Sequence, residues 1–398
     1  MHKAKKRIAV ALVAAFSITT LAACGASGGD SAAGSGDDTI KIGVLTALSG
    51  PSAIYGDAIT QGARLAAEEI NAEGGVEGFR FELIEEDHAN NPDSAVTAAQ
   101  KMLTVDRAHA LLSSFTAPTL AVRPMACERE IPVLNGGAIG ADLIGQECLY
   151  NTVANTATMY PLLMDYAVDE LDASKVAVIA WNDEAGGAVN TEATSSCKRL
   201  GCEVVAQESH DVGATDLSVQ LARIKSAKPD MLVVGSWGDD LGYIISGAHK
   251  IGLDIPIVGS DYTPNVLTIT GPEAIKSYSA ILDRFDPSVG GPHTGEFVEA
   301  YKAKFDEEPT QFAANYYEHV KYVYADAVRR AVKDGKNPTE SGVLLASIEA
   351  LVADSHEFKS LYGESMIIRD DGTVAKPVSI YRVEDGVLAP IAEFAGSK

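Results

Sequence analysis

Two clusters of hydroxyls and glycines, Ser113-Ser114-Phe115-Thr116 and Asn135-Gly136-Gly137-Ala138-Ile139, each follow a run rich in apolar residues. Where a strand ends and a helix begins, free backbone N–H groups and the helix dipole favour a negative charge. The same residues could also do no more than cap the helices that follow. Asp261, after Ile257-Val258-Gly259-Ser260, is an acid at the end of another such run. A carboxylate closed into a low-dielectric cleft is costly unless a cation meets it; capping the next loop is the competing role. Catalytic signatures give no lead. There is no strand-to-helix GxSxG elbow, no HExxH and no Walker GxxxxGK[ST] loop. The 8 histidines are scattered, none paired at i, i+4. His88, after Glu85-Glu86-Asp87, could ligate a metal, but a solvated loop after a strand accounts for it more simply. No metal or cofactor is expected.

The amino terminus sets the compartment. Lys3, Lys5, Lys6 and Arg7 precede an uncharged apolar run from Ile8 to about Thr20, too short to span a bilayer that needs roughly 20 residues. The run ends Leu21-Ala22-Ala23-Cys24-Gly25, which resembles a bacterial lipobox. Residues 1–23 read as a lipoprotein signal peptide, with Cys24 the lipidated first residue of the mature chain. Residues 24–38 lack aromatic residues and read as a flexible tether. No later stretch reaches 18 uninterrupted apolar residues, so the expectation is a protein secreted across the cytoplasmic membrane and anchored there by lipid. The net charge of −23, more negative once the leader is removed, makes nucleic acid an unlikely partner. Four further cysteines, an even number in an oxidising compartment, allow disulfides. Cys197 and Cys202 close a short loop between a helix and a strand, which favours that pair and leaves Cys127 with Cys148; buried free thiols are the alternative. None of the spacings is a CxxC zinc or redox pattern.

The elements that must position these groups alternate strand and helix, the pattern of a parallel sheet covered on both faces. Strands read at 40–45, 79–87, 109–114 and 131–136, with helices near 57–72, 93–106 and 118–129. A second series follows, with strands at 175–181, 202–209, 230–237 and 255–260 and helices near 186–200, 215–227 and 238–251. Two such series exceed one core of ordinary size, so two α/β lobes are expected. A long helix from Phe312 to about Lys333 and an antiparallel ending around the Asp371-Gly372 turn signal complete the reading.

Residues 40–78, IKIGVLTALSGPSAIYGDAITQGARLAAEEINAEGGVEG, followed by FELIEEDHANNPDSAVTAAQKML, resemble the branched-chain amino acid binding proteins of ABC transporters. The shared pattern is a strand, a Ser-Gly-Pro loop, Tyr-Gly-Asp at a helix start, an Ile-Asn…Gly-Gly ending and an Asn-Pro-Asp cap after an acidic strand. It continues in outline through Trp237 and Asp261 to Phe312. The resemblance implies two doubly wound parallel-sheet lobes joined by a three-crossover hinge, closing on ligand. On that basis lobe 1 is 39–155 plus about 285–365, and lobe 2 is about 156–284 plus 366–398.

The family's site maps onto named positions. The loops at Ser113, Ser114, Phe115 and Thr116 and at Gly137, Ala138 and Ile139 would take a ligand carboxylate by a hydroxyl and a backbone N–H. Which of Ser113, Ser114 or Thr116 supplies the hydroxyl stays open. Ile139 stands where the family carries a threonine, so its hydroxyl is lost. Tyr55, Trp237 and Phe312 would line the ligand's side chain and Asp261 would pair its ammonium. Ala185-Gly186 replaces a Tyr-Gly pair, removing an aromatic wall. The implied role is the solute-binding component of an ABC importer, served by a permease and ATPase, monomeric and not an enzyme. Its ligand would be a branched-chain or other amino acid, with an amide or aromatic acid as alternatives. A ligand-sensing receptor domain acting through a membrane partner is the rival class.

Overall fold

The computed structural model describes residues 38–283, 285, 291–384 and 387–394, and Asp38–Lys398 forms one compact unit. The leader, Cys24 and the tether to residue 37 lie outside the described residues.

The first series is β1 (Thr39–Thr46), α1 (Ala53–Ala72), β2 (Arg80–Asp87), α2 (Pro92–Lys101), β3 (Ala110–Ser113), α3 (Thr116–Cys127), β4 (Val133–Asn135) and β5 (Leu149–Asn151). These five strands form one parallel sheet in the order β2-β1-β3-β4-β5. The second series is α4 (Thr156–Leu171), β6 (Lys175–Trp181), α5 (Glu184–Leu200), β7 (Glu203–His210), α6 (Ser218–Ala227), β8 (Met231–Gly235), α7 (Asp239–Lys250), β9 (Ile257–Gly259), α8 (Pro264–Ala274) and β10 (Tyr278–Asp283). Then come α9 (Thr294–Phe305), α10 (Gln311–Glu318), α11 (Ala325–Lys333), α12 (Val343–Ala353), the short pair β11 (Phe358–Lys359) and β12 (Ser365–Met366), β13 (Val378–Glu384) and β14 (Val387–Phe394). The second sheet runs β14-β13-β10-β9-β8-β6-β7, parallel except where β13 pairs antiparallel with β10 and β14.

Each sheet is covered on both faces, and alternation along the strands divides its residues between two cores. In β3, Ala110 and Leu112 join Ile42 and Val44 of β1 beneath α1, while Leu111 joins Leu45 and Val133 on the side of α2 and α3. In the second sheet Ile179, Leu232 and Val234 face one way and Val178, Met231 and Val233 the other. Gly43 lets β1 and β3 close up, since a Cβ there would come within 2.6 Å of a Leu111 methyl. The helices start where capping residues stand: Asn91, Asn155 and Asp183 each accept a backbone N–H from the first turn of α2, α4 and α5.

In both sheets the strand order reverses at a definite place. Strand β1 lies between β2 and β3, and β6 lies between β7 and β8. At such a switch point neighbouring loops diverge and leave a crevice beyond the carboxyl ends of the strands.

The chain passes between the sheets three times: after β5, after β10 and again near Lys376 into β13. The last passage comes later than the boundary at 365/366 expected from sequence, because Met366, Ile368 and Val374 pack in the core beneath α1. The Asp371-Gly372 turn forms, but it joins a single antiparallel bridge between Ile368 and Val374; the long antiparallel pair is β13 with β14. The predicted 312–333 helix is α10 and α11 joined by a π-helical stretch, His319–Tyr324. Disulfides link Cys127 to Cys148 and Cys197 to Cys202.

Candidate ligand-binding site

The strand ends at the two switch points face one another across a void of about 730 Å³, part of it open to solvent. Its walls are aromatic. From the first lobe, Tyr55 in the opening turn of α1 stands edge-on to Phe115, centroids 6.1 Å apart, and to Phe312 at 5.0 Å. From the second, Trp181 at the end of β6 and Trp237 just beyond β8 meet edge to face at 4.9 Å. Each indole is tethered, Trp181 Nε1 donating to Asp240 Oδ2 at 2.8 Å and Trp237 Nε1 to Ser260 Oγ at 3.2 Å. Met159, Val153, Ile139, Ala138 and Ala185 complete the apolar lining. Ala185 opens space where a larger side chain would intrude.

The first lobe's polar pole is built on the β3 and β4 loops. Ser114 and Thr116 line the cavity and Ser113 does not. Ser113 Oγ is spent on Thr119 Oγ1 at 2.9 Å, inside the lobe. Ser114 Oγ donates to Thr46 Oγ1 at 2.8 Å, and Thr116 Oγ1 accepts the Gly140 N–H at 3.2 Å, which leaves the Thr116 hydroxyl proton for another acceptor. Phe115 precedes α3 with φ 64°, and no side chain caps the helix, so its first N–H groups are not taken by a cap. Gly137, Ala138 and Ile139 also line the void, but Asn135 Oδ1 already accepts the N–H groups of Gly137 (3.1 Å) and Ala138 (2.7 Å).

Acids also belong to the lining. Asp183 and Asp283 line the cavity; Asp261 does not. Asp261 is 1% exposed, and its Oδ2 accepts both the Tyr55 hydroxyl at 2.5 Å and the Gly238 N–H at 2.8 Å. That hydrogen bond joins the two lobes. Burial pushes the Asp261 carboxyl up to about 6, against the Tyr55 and Gly238 bonds, which lower it. Burial also raises Tyr55 well above the ordinary phenol value, with the Asp261 charge adding to the shift. Asp183 is raised chiefly by burial and spends Oδ1 on the N-cap of α5, accepting Gly186 N–H at 2.9 Å. Asp283, the last residue of β10, is pushed up to about 6 by burial, with Lys376 pulling it down. Among the described residues that line the cavity there is no lysine, arginine or histidine.

Several contributors escaped the sequence reading. Trp181 ends and Asp183 closely follows a strand legible in the sequence, so the rule that finds Trp237 applies to them equally. Asp283 and Leu282 end β10, a strand not recognised at all. His88, expected in a solvated loop, is fully buried: its Nδ1 accepts the Asn90 N–H at 2.9 Å, its ring meets Phe115 at 5.6 Å, and burial depresses its pKa to about 4. Among the described residues no cluster of three or more His, Cys, Asp or Glu could hold a metal ion, and no helix is long and apolar enough to cross a membrane.

Comparison with known proteins gives a consistent picture. The sequence pattern of a family described as periplasmic binding protein matches residues 39–387. The Leu/Ile/Val-binding protein of Citrobacter freundii is 25% identical over 229 residues, 57% of this chain and 62% of the relative, so the match spans less than two thirds of that relative's length. Leu/Ile/Val-binding protein homolog 3 of Brucella melitensis is 25% identical over 319 residues, 76% of this chain and 85% of the relative. Among solved structures, the branched-chain amino acid transporter substrate binding protein LivJ of Streptococcus pneumoniae, in complex with isoleucine, superposes with a TM-score of 0.79 at 25% identity, covering 90% of this chain and 99% of that one. A solute binding protein of an ABC transporter from R. palustris, in complex with benzoate, shares the fold with a TM-score of 0.79 at 20% identity, covering 90% and 97%. These relatives and neighbours are solute-binding proteins, not enzymes.

Proposed function

We propose, given that the chain belongs to the periplasmic binding protein family, that it is the extracytoplasmic solute-binding component of an ABC importer and captures an amino acid between its two lobes. The observation that carries this reading is a cavity whose lining combines three kinds of group. Uncapped N–H groups of α3 and the Thr116 hydroxyl suit a carboxylate, buried aspartates suit an ammonium, and the walls between suit an apolar body. Tyr55, Ser114, Phe115, Thr116, Gly137, Ala138, Ile139, Trp237 and Phe312 are assigned to the ligand, with Ser113 and Asp261 supporting the site from behind. The lobes are 39–155 with about 285–376, and about 156–284 with 377–398. Ligand meets one lobe first, and its contacts to the other stabilise the closed form. A permease and ATPase would accept that form, and Cys24 would hold the protein, as a monomer, at the membrane.

An aromatic acid is the second reading. It is favoured by five aromatic side chains around the void and by the benzoate bound to one structural neighbour. A thermal-shift screen of residues 38–398 against α-amino acids and aromatic acids separates the two. Ligand at 100 times its dissociation constant stabilises a fold by about 2.7 kcal/mol. Stabilisation by α-amino acids is expected; stabilisation by aromatic acids alone would reject the amino-acid reading and keep the transport role.

A further inference from the structure

Three aspartates lie at or near the void, two of them buried, and their hydrogen bonds differ. Asp261 has its Oδ2 occupied by Tyr55 and Gly238; its Oδ1 is likewise buried without a partner, but the residue is not part of the lining. Asp183 is half-buried at the rim and committed to the N-cap of α5. Asp283 is 3% exposed and lines the void; its Oδ1 accepts the Ala154 N–H at 3.1 Å, the Asn315 amide lies close enough to lower its pKa, and its Oδ2 is buried with no partner at hydrogen-bonding geometry. An unpaired buried carboxylate oxygen is costly; Asp261 and Asp283 each carry one, and of the two only Asp283 lines the cavity.

Among the described residues, its surroundings are one positive charge short. Behind Asp283 lies Lys376, 4% exposed, which donates to Asn315 Oδ1, lies 3.2 Å from Glu318 Oε2 and packs on the Tyr362 ring 3.5 Å from its centroid. Glu318 is itself fully buried and accepts from Ser360 and from the Leu361 N–H. Burial holds His319 neutral, its pKa well below the usual range, and its Nε2 is taken by Thr152 at 2.6 Å. Among the described residues, then, two buried carboxylates, Asp283 and Glu318, share the single ammonium of Lys376. These groups also sit at the passages between lobes: Ala154 follows β5, Asp283 ends β10 and Lys376 precedes β13.

We infer that the ligand's ammonium is received at the hinge, by Asp283, and not in the second lobe by Asp261. This rests on the amino-acid reading above. The bound cation completes the charge of the Asp283–Lys376–Glu318 cluster, and Asp261 serves closure through Tyr55. Binding is thereby sensed where the chain bends.

The test compares an α-amino acid identified by the screen with its 2-hydroxy acid, which keeps the carboxylate and the side chain and replaces the ammonium by a hydroxyl. Affinities are measured by calorimetry on residues 38–398 as wild type, Asp283→Asn and Asp261→Asn. Because the preference for amine over hydroxyl is a ratio within one protein, loss of folded material does not alter it. The wild type should prefer the amine about 100-fold, Asp283→Asn less than about 10-fold, and Asp261→Asn should keep the wild-type ratio even where both affinities fall. An undiminished ratio in Asp283→Asn, or a collapsed one in Asp261→Asn alone, overturns the assignment and leaves the amino-acid reading standing. A wild type without preference for the amine overturns the amino-acid reading and the assignment with it.

Discussion

Tyr55 reaches from the first turn of α1 to Asp261 in the other lobe, and both groups are buried, so their 2.5 Å hydrogen bond exists only while the lobes are together. Replacing Tyr55 with Phe keeps the ring against Phe115 and Phe312 but removes a donor from a buried carboxylate, at a cost of about 1–3 kcal/mol. Ligand affinity should fall about tenfold or more, measured by calorimetry; an unchanged dissociation constant would remove Tyr55 from the closure contact. The same aspartate sets a pH dependence. Its folded pKa of about 6 lies above its ordinary value of 3.8, with the phenols of Tyr55, Tyr278 and Tyr160 as neighbours. The stabilising contribution is therefore complete below about 3.8 and is lost as pH rises through about 6, by up to about 3 kcal/mol. Asp261→Asn should accordingly gain stability relative to wild type between pH 4 and pH 7.5 in denaturant titrations. A difference independent of pH would show that the carboxylate does not titrate in that window.

At the scale of elements, the strand-end rule recovered what lay on strands visible in the sequence. The β-branched runs of β1, β6 and β8 and the apolar run of β3 stand out in the sequence, and with them the loops bearing Trp237, after β8, and Ser114, after β3. Strand β10, YSAILD, did not, because it carries little β-branched character and follows a proline-interrupted helix. Its burial comes from tertiary contacts with β9 and β13, so Asp283 was hidden with it. Asp183 illustrates two roles in one side chain: Asp183→Ala should cost about 1 kcal/mol through loss of the α5 cap in thermal unfolding, with a smaller effect contradicting its capping role. The disulfides differ by the loop each closes, 21 residues for Cys127–Cys148 and 5 for Cys197–Cys202. On the chain-entropy account their removal costs about 3 and about 2 kcal/mol, so the double Ala variant of the first pair should melt lower.

For the whole molecule, the two-lobed architecture was legible from the alternation of strands and helices and from the resemblance of residues 40–103 to a known family. What the sequence could not show was which side chains turn toward the cleft. Ser113 and Ser114 are neighbours, yet strand pleat sends one hydroxyl to Thr119 inside the lobe and the other to the cavity wall. The late third passage near Lys376 was equally hidden, because only packing reveals that Met366, Ile368 and Val374 belong to the first core. The cavity holds the chain's spectroscopic reporters: its 2 tryptophans are Trp181 and Trp237, both lining it. The most direct test of a ligand held between the lobes is therefore a tryptophan-fluorescence titration of residues 38–398 with a compound that stabilises them thermally. The cleft assignment predicts a saturable change in emission whose midpoint matches the calorimetric dissociation constant. Thermal stabilisation with emission unchanged throughout would place the ligand elsewhere and contradict it.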